Sequence, residues 1–368
     1  MRPMTPAPSS LLGAAGILAV AGSLALAGAC RPAGTAASGA ARAAPRGAAA
    51  AMASPVWDAG GPRLEVGHPA EVTAAAQARA VRYWTARRMA GARTLTAGHG
   101  GVPVDPMVGL ASSVTAPARA AGRTARTEAR PAAAAVLMDT ATAAWPGGGA
   151  VAGATGKIFF TMDGQDYVCS GAVVASANAD VVITAGHCVK NGRGSWAVNW
   201  TFVPGFTQGS RPYGSWTARR FFAANQWTHA ANDNYDVAFA TLNPQYSAGH
   251  ATHIGQVADA LPIAFSQRAA EEFAFGYPAE PPYSGGGLYY CSGRVTADAF
   301  HASPDSGLRC VMTAGSSGGP WLSGFDPVTG AGIITSVSSF KYSTDPSTLY
   351  GPPLGAAARA LYEDAQRR

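Results

Sequence analysis

The sequence changes texture at about Trp145, and that change constrains the fold more than any other feature. From there to the C-terminus, short apolar runs with β-branched and aromatic residues are cut by Gly, Asn, Asp and Pro at intervals of roughly 8–12 residues, the rhythm of barrels and sandwiches. Lys157–Thr161, Tyr167–Ala175, Val181–Thr184, Trp196–Val203, Val237–Leu242, Glu272–Phe275, Leu288–Tyr290, Leu308–Met312, Trp321–Leu322 and Gly332–Ser338 read as strands. They predict an all-β domain over residues 146–368, with one helix at about Leu354–Gln366 after Pro352-Pro353. Roughly 220 residues are enough to enclose a sizeable core.

The upstream part has a different composition. Residues 1–150 are dominated by Ala, Gly, Pro and Arg, and hold 14 arginines against 6 acidic residues, a balance of +8. Residues 151–368 hold 13 basic and 15 acidic residues, a balance of −2. The overall charge of +6 therefore belongs to the leader. Its scattered arginines, with no aromatic-lined platform, give no case for a nucleic-acid partner.

Residues 1–29 read as a secretion signal: Arg2, an uncharged apolar run from Leu11 to Leu26, then Ala27-Gly28-Ala29 for a peptidase. Cys30 directly after Ala29 raises the option of lipoprotein cleavage, the one route by which this chain would hold a membrane. Either route takes the product out of the cytoplasm, where disulfides persist. Residues 30–70 are low-complexity and expected to be disordered. A short helix is predicted over residues 71–90, where Val72, Ala76, Ala80, Tyr83 or Trp84, and Arg87 follow helical spacing. Residues 91–145 return to Ala/Arg/Pro-rich sequence, so residues 30–145 read as a propeptide region.

Of five cysteines, Cys30 stands in the leader, and Cys169, Cys188, Cys291 and Cys310 in the β-rich part. No C-x-x-C spacing is present, which speaks against a zinc site. The four allow three pairings, and the sequence does not choose between them.

Three short stretches carry chemistry. Gly315-Ser316-Ser317-Gly318-Gly319-Pro320 packs hydroxyls among glycines, as a nucleophile with nearby oxyanion donors requires. Val182-Ile183-Thr184-Ala185-Gly186-His187-Cys188 ends an apolar strand in a small-residue turn that presents His187 as a base. Asn232-Asp233-Asn234-Tyr235-Asp236-Val237 puts Asp236 at the mouth of an apolar strand, where a carboxylate is costly unless paired. A hydrogen bond to a His ring N–H would pair it and fix the tautomer. Asp233, the competing carboxylate, lies in a polar turn. The chain order is His187, Asp236, Ser317. The α/β-hydrolase elbow, which Gly315-x-Ser317-x-Gly319 also fits, needs a His after the Ser, and the last His is His301. The subtilisin order needs an acid before His187; Asp163, Asp166 and Asp180 are there, but none enters an apolar strand as Asp236 does.

Thr-Ala-Gly-His187-Cys, Asp236-Val-Ala-Phe-Ala-Thr-Leu and Gly-Ser-Ser317-Gly-Gly-Pro together resemble the three signatures of chymotrypsin-fold, trypsin-like serine peptidases, over roughly residues 150–368. Phe275-Gly276-Tyr277-Pro278 resembles the secreted bacterial branch that includes glutamyl-endopeptidase-like enzymes, and Tyr83-Trp84-Thr85-Ala-Arg-Arg-Met89 the pro-regions of such peptidases. The resemblance implies two six-stranded antiparallel barrels with the site between them. It implies a monomeric serine endopeptidase acting on polypeptides without a cofactor, by a His187–Asp236–Ser317 triad, with the amides of Gly315 and Ser317 as oxyanion hole. It also implies disulfides Cys169–Cys188 and Cys291–Cys310, and a substrate pocket at Val311, Met312, Ser336 and Ser338.

The chain departs from its relatives at two points. Ser316 stands where animal trypsin-like enzymes have the Asp that receives the new N-terminus, so activation is expected to come from loss of the leader instead. Val311 stands where trypsin has the Asp that selects basic side chains, and the strand Gly332–Ser338 offers Thr335, Ser336 and Ser338 but no His for a glutamyl substrate. His250-x-x-His253, Thr96-Ala97-Gly98-His99 and Gly285-Gly286-Gly287 are read as loop residues, a chance match in the leader, and a flexible turn.

Overall fold

The computed structural model describes residues 64–95, 139–267, 269–300 and 303–368. The expected secretion signal, Cys30, the start of the low-complexity stretch and the Thr96–His99 match lie outside the described residues.

The leader contributes β1 (Leu64–Pro69), α1 (Ala74–Tyr83), α2 (Ala86–Gly91) and β2 (Arg93–Thr94). After β3 (Ala143–Ala144) and α3 (Gly149–Ala154) comes the first set of long strands: β4 (Thr155–Met162), β5 (Gln165–Val173), β6 (Val181–Thr184), β7 (Val198–Pro204), β8 (Trp216–Ala224), the turn α4 (Asn225–Thr228), and β9 (Ala238–Leu242). A small hairpin follows, β10 (Gln245–Ser247) and β11 (His250–Thr252). The second set is β12 (Glu271–Gly276), β13 (Tyr289–Ala297), β14 (Ser306–Arg309), β15 (Pro320–Asp326), β16 (Ala331–Val337), β17 (Phe340–Tyr342) and β18 (Asp345–Gly351), closed by α5 (Ala356–Ala365).

The first set runs β8-β7-β4-β5-β6-β9, and pairing of β8 with β9 closes it into a six-stranded antiparallel barrel. Strand β4 explains why. Ile158, Phe160 and Met162 alternate inward to a core shared with Trp200, Phe202, Trp216 and Phe221. Phe159 points outward, yet it is equally buried, because Trp84 and Met89 of the leader cover it. That covering is why β4 shows no polar alternation: it is packed on both faces.

The second set runs β16-β15-β12-β13-β14-β18-β17, with β3 paired to β13. The expected double barrel is present with one difference: among the described residues no pair between β16 and β17 closes the second sheet, which is a half-barrel. The chain between those strands is engaged elsewhere. The Gly318 amide donates to the Ser338 carbonyl at 2.7 Å, and the Ser338 amide to the Gly319 carbonyl at 2.9 Å. A second core lies between the sheets, where Ile183, Phe222 and Phe239 meet Phe275, Leu322 and Val337. Helix α5 completes it with Leu361 and Ala365.

The predicted single helix over 71–90 is two helices. Trp84 leaves helical geometry at φ −84°, ψ 72°, and Thr85 caps α2 by accepting from the Arg88 amide at 3.3 Å. The indole of Trp84 is only 1% exposed and donates from Nε1 to the Asn199 carbonyl at 2.6 Å. Docking this side chain outweighs the last turn that a continuous helix would gain. Disulfides join Cys169 to Cys188 and Cys291 to Cys310, with Cα–Cα separations of 6.1 and 5.4 Å. No helix among the described residues is long and apolar enough to cross a membrane.

Candidate active site

His187 lies in a single 3₁₀ turn, Gly186–Cys188, at the end of β6. The disulfide to Cys169 in β5 ties this turn to the neighbouring strand. Asp236 follows a second such turn, Asp233–Tyr235, and enters β9. Strands β6 and β9 are paired, Thr184 opposite Ala238, which brings the two turns together. The His187 Nδ1 atom lies 2.8 Å from Asp236 Oδ2, and the His187 amide donates to Oδ1 at 2.8 Å. Both side chains are buried, at 2% and 0% exposure.

A third donor comes from the second sheet. The Ser339 hydroxyl donates to Asp236 Oδ2 at 2.5 Å. Burial, the strongest influence on Asp236, favours its neutral form. The His187 charge, its ring and amide hydrogen bonds and the Ser339 hydroxyl together outweigh that and hold the carboxyl below its usual value.

Ser317 is 4% exposed and sits just before β15. Its carbonyl accepts from the Ser170 amide at 2.8 Å and lies 3.7 Å from Cys188 Sγ. The Ser170 hydroxyl donates to the Gly315 carbonyl at 2.8 Å and accepts from the Tyr277 amide at 2.9 Å. Gly318 follows at φ +79°, so close to the first barrel that a Cβ there would strike Thr184 Oγ1 and the Ala185 amide. Only glycine allows this approach, and through it the Ser317 backbone is anchored beside the strand end that bears His187.

The amides around Ser317 fall into two groups. Ser316 donates to the Thr313 carbonyl at 3.3 Å, Gly318 to Ser338 at 2.7 Å and Gly319 to Ser316 at 3.0 Å. Among the described residues, the amides of Gly315 and Ser317 donate to none. Gly315 has φ +97°, and a Cβ there would sit 2.8 Å from the Ala279 Cβ and the Tyr277 carbonyl. Ser316 closes its own turn, its hydroxyl donating to the Thr313 carbonyl at 2.8 Å.

The four residues expected at the substrate pocket are placed differently from one another. Val311 is 40% exposed, whereas Met312 is packed in the core with Leu308, Trp321 and Leu349. Ser336 donates to the Pro352 carbonyl at 2.8 Å, and Ser338 accepts from the Trp321 indole at 3.1 Å. Both hydroxyls are engaged in holding the second sheet. Lys341, two residues after Ser339, is buried and donates to the carbonyls of Cys310 and Pro346 at 2.6 and 2.8 Å. Burial pulls its ammonium down to about 7. Neither Ser339 nor Lys341 stood out in the sequence. His253, half of the His250-x-x-His253 pair, is taken by Asp180 Oδ2 at 2.7 Å.

A family profile described as Trypsin-like peptidase domain matches residues 169–326. The protease Anisep from Arthrobacter nicotinovorans is 40% identical, with a TM-score of 0.54 over 59% of this chain and 96% of its own. The chain belongs to the trypsin-like serine peptidases. The thermostable serine protease AL20 from an extremophilic microorganism is 38% identical, with a TM-score of 0.55 over 59% of this chain and 99% of its own. A Glu endopeptidase shares the fold at 20% identity, with a TM-score of 0.50 over 63% of this chain and 100% of its own. An Extracellular metalloprotease of Bacillus subtilis (strain 168) is 38% identical over 87 residues, 24% of this chain and 27% of that protein, so the match spans about a quarter of this curated relative. As a trypsin-like peptidase the chain is a serine endopeptidase. The donor set does not fit a metal centre: among the described residues the one group of three possible ligands is Cys169, His187 and Cys188, and its sulfurs are joined to each other.

Proposed function

We propose that this peptidase cleaves polypeptides through Ser317, His187 and Asp236, by way of an acyl-enzyme. Ser317 Oγ attacks the scissile carbonyl while His187 Nε2 takes its proton, then returns it to the leaving amine. Asp236 holds the ring through Nδ1 and stabilises the imidazolium that forms. The negative oxygen of the tetrahedral intermediate is met by the amides of Gly315 and Ser317. The observation that carries the reading is that these two amides are left open among the described residues while those of Ser316, Gly318 and Gly319 are bonded. Donors fixed in advance toward a developing charge are worth roughly 2.7–4 kcal/mol each in such sites.

Val311, exposed and uncharged at the expected pocket position, supports a preference for neutral over basic residues before the cleaved bond. The chain is a secreted precursor whose mature form begins between about residues 120 and 150. Thr140 and Ala141 bond to Ser292 and to the Val311 amide, at 2.9 Å each, which supports a start upstream of them. Labelling with a fluorophosphonate tests the site: wild type takes the label and Ser317→Ala does not. Equal labelling of the two would refute the assignment, and no labelling of either would favour a silent protein that keeps the fold. Mass spectrometry of the mature N-terminus tests secretion and processing. A diacylglyceryl Cys30 would make the product a lipid-anchored surface protein, and an active protein still starting near residue 30 would refute the precursor reading.

A further inference from the structure

The leader segment Leu64–Leu95 is docked on the first barrel, and its last strand lies beside the active site. Strand β5 pairs with β4 along one edge from Gln165 to Ala172. Along its other edge it pairs with β6 only at Ala172 and Val173. The stretch of that edge just before Ser170 is taken by β2, which runs parallel to it with Arg93 opposite Tyr167 and Thr94 opposite Val168. Ser170 is the residue whose amide and hydroxyl hold the carbonyls of Ser317 and Gly315. On the other side of β2, the Thr94 hydroxyl donates to the Glu280 carboxylate. Glu280 is in turn bonded to Thr313 through its amide, at 3.2 Å, and Ala279 to the Ala314 carbonyl at 2.8 Å. Strand β2 therefore bridges the open edge of the first barrel and the turn that leads to Gly315.

The rest of the segment is its anchor. Trp84 and Met89 are buried against Phe159, Val168, Val203 and Phe206. The Tyr83 hydroxyl donates to Asp166 at 2.7 Å, Arg88 to the same carboxylate at 3.0 Å, and Arg211 to the Trp84 carbonyl at 3.1 Å. None of these contacts involves His187, Asp236 or Ser317. An exposed strand edge beside a peptidase site is where an extended polypeptide adds as a further strand.

We propose that Leu64–Thr94 is an occluding segment, anchored away from the reacting groups by Trp84, whose strand β2 holds the β5 edge that extended substrate needs. It competes with long polypeptides and leaves Ser317 open to small reagents. This rests on the precursor reading and on Ser317 as nucleophile.

The test uses the full chain as wild type, Trp84→Ala and Thr94→Pro, each checked by calorimetry and by gel for an intact leader. Two rates are read: kcat/KM on a peptide extending several residues beyond the scissile bond, and labelling of Ser317 by a small fluorophosphonate. Expected is a rise of at least about tenfold in kcat/KM for both variants, carried by KM, with labelling within twofold of wild type. Unchanged peptide turnover in a folded variant would overturn the inference, and so would an equal rise in turnover and labelling. If Trp84→Ala fails to fold, Thr94→Pro decides. Failure of both to fold would also overturn it, making the segment part of the barrel instead of an occupant. Absence of labelling in wild type, by contrast, would strike the assignment of Ser317 itself.

Discussion

The hydroxyl of Ser339 and the ring of His187 meet on one oxygen, Asp236 Oδ2, at 2.5 and 2.8 Å. The first donor comes from the half-barrel and the second from the closed barrel. A hydrogen bond to a charged group is worth about 1.5–3 kcal/mol. Removing the Ser339 donor leaves Asp236 buried with two donors, so Ser339→Ala is expected to lower kcat about tenfold, with KM within twofold. Asp236→Asn, which also disturbs the ring tautomer, is expected to lower kcat by roughly 10³–10⁴. Steady-state kinetics on one peptide substrate measures both, and equal losses for the two variants would show that Ser339 does more than support the carboxylate.

Gly315→Ala gives a second test of the open amides. Its φ of +97° disfavours any side chain, and the added methyl would press on Ala279 and the Tyr277 carbonyl. The amide must turn away, and kcat is expected to fall by roughly 10²–10³ while KM stays within a few-fold. A variant that retains most of its kcat would remove the Gly315 amide from the proposed oxyanion hole.

The two disulfides make a matched pair, since each closes a loop of the same sequence separation, 19. Chain entropy gives each roughly 3 kcal/mol. Replacing both cysteines of either pair by Ala should therefore lower stability by similar amounts in denaturant titration. Activity should not follow the same pattern: loss of Cys169–Cys188 frees the His187 turn and should reduce kcat more than loss of Cys291–Cys310.

Glu71 is expected to contribute to the pH dependence of stability. Its carboxylate accepts from the Trp200 amide at 3.2 Å in a buried position, and burial raises its pKa from 4.5 to about 7. A carboxyl with a raised folded pKa binds more protons folded than unfolded, so its contribution to stability falls as pH rises from about 4.5 to about 7. That difference corresponds to roughly 3 kcal/mol at most. Glu272, buried and bonded to Thr335 at 2.6 Å, is raised to about 7 in the same way and adds to the slope. Glu71→Gln should flatten the fall in melting temperature between pH 5 and 8. An unchanged slope would show that the Glu71 carboxyl is not buried in solution.

What the sequence revealed and what it concealed follow from how local each signal is. Val181–Thr184 coincides with β6 because an apolar β-branched run ending in a small-residue turn is a local pattern. His187, Asp236 and Ser317 each stand in such a pattern. Ser339 does not: Thr335, Ser336, Ser338 and Ser339 are chemically alike, and only the packing of the half-barrel decides which hydroxyl reaches Asp236. Strand β8 escaped notice because Arg219-Arg220 interrupts its apolar alternation. Those two arginines are accounted for at long range, Arg219 by Asp180 and Arg220 by the Gly67 carbonyl. The leader helix was visible from its spacing, but no local signal shows that Trp84 has a seat on Phe159.

The bend at Ser338–Ser339 carries a consequence for self-digestion. Its backbone grips Gly318 and Gly319 next to Ser317, and its hydroxyl grips Asp236. A molecule in which one sheet has come loose therefore loses the alignment of both halves of its site at once. On the proposed triad, a molecule whose half-barrel has shifted is expected to lose its cutting activity at the same step that exposes it to cleavage by other copies.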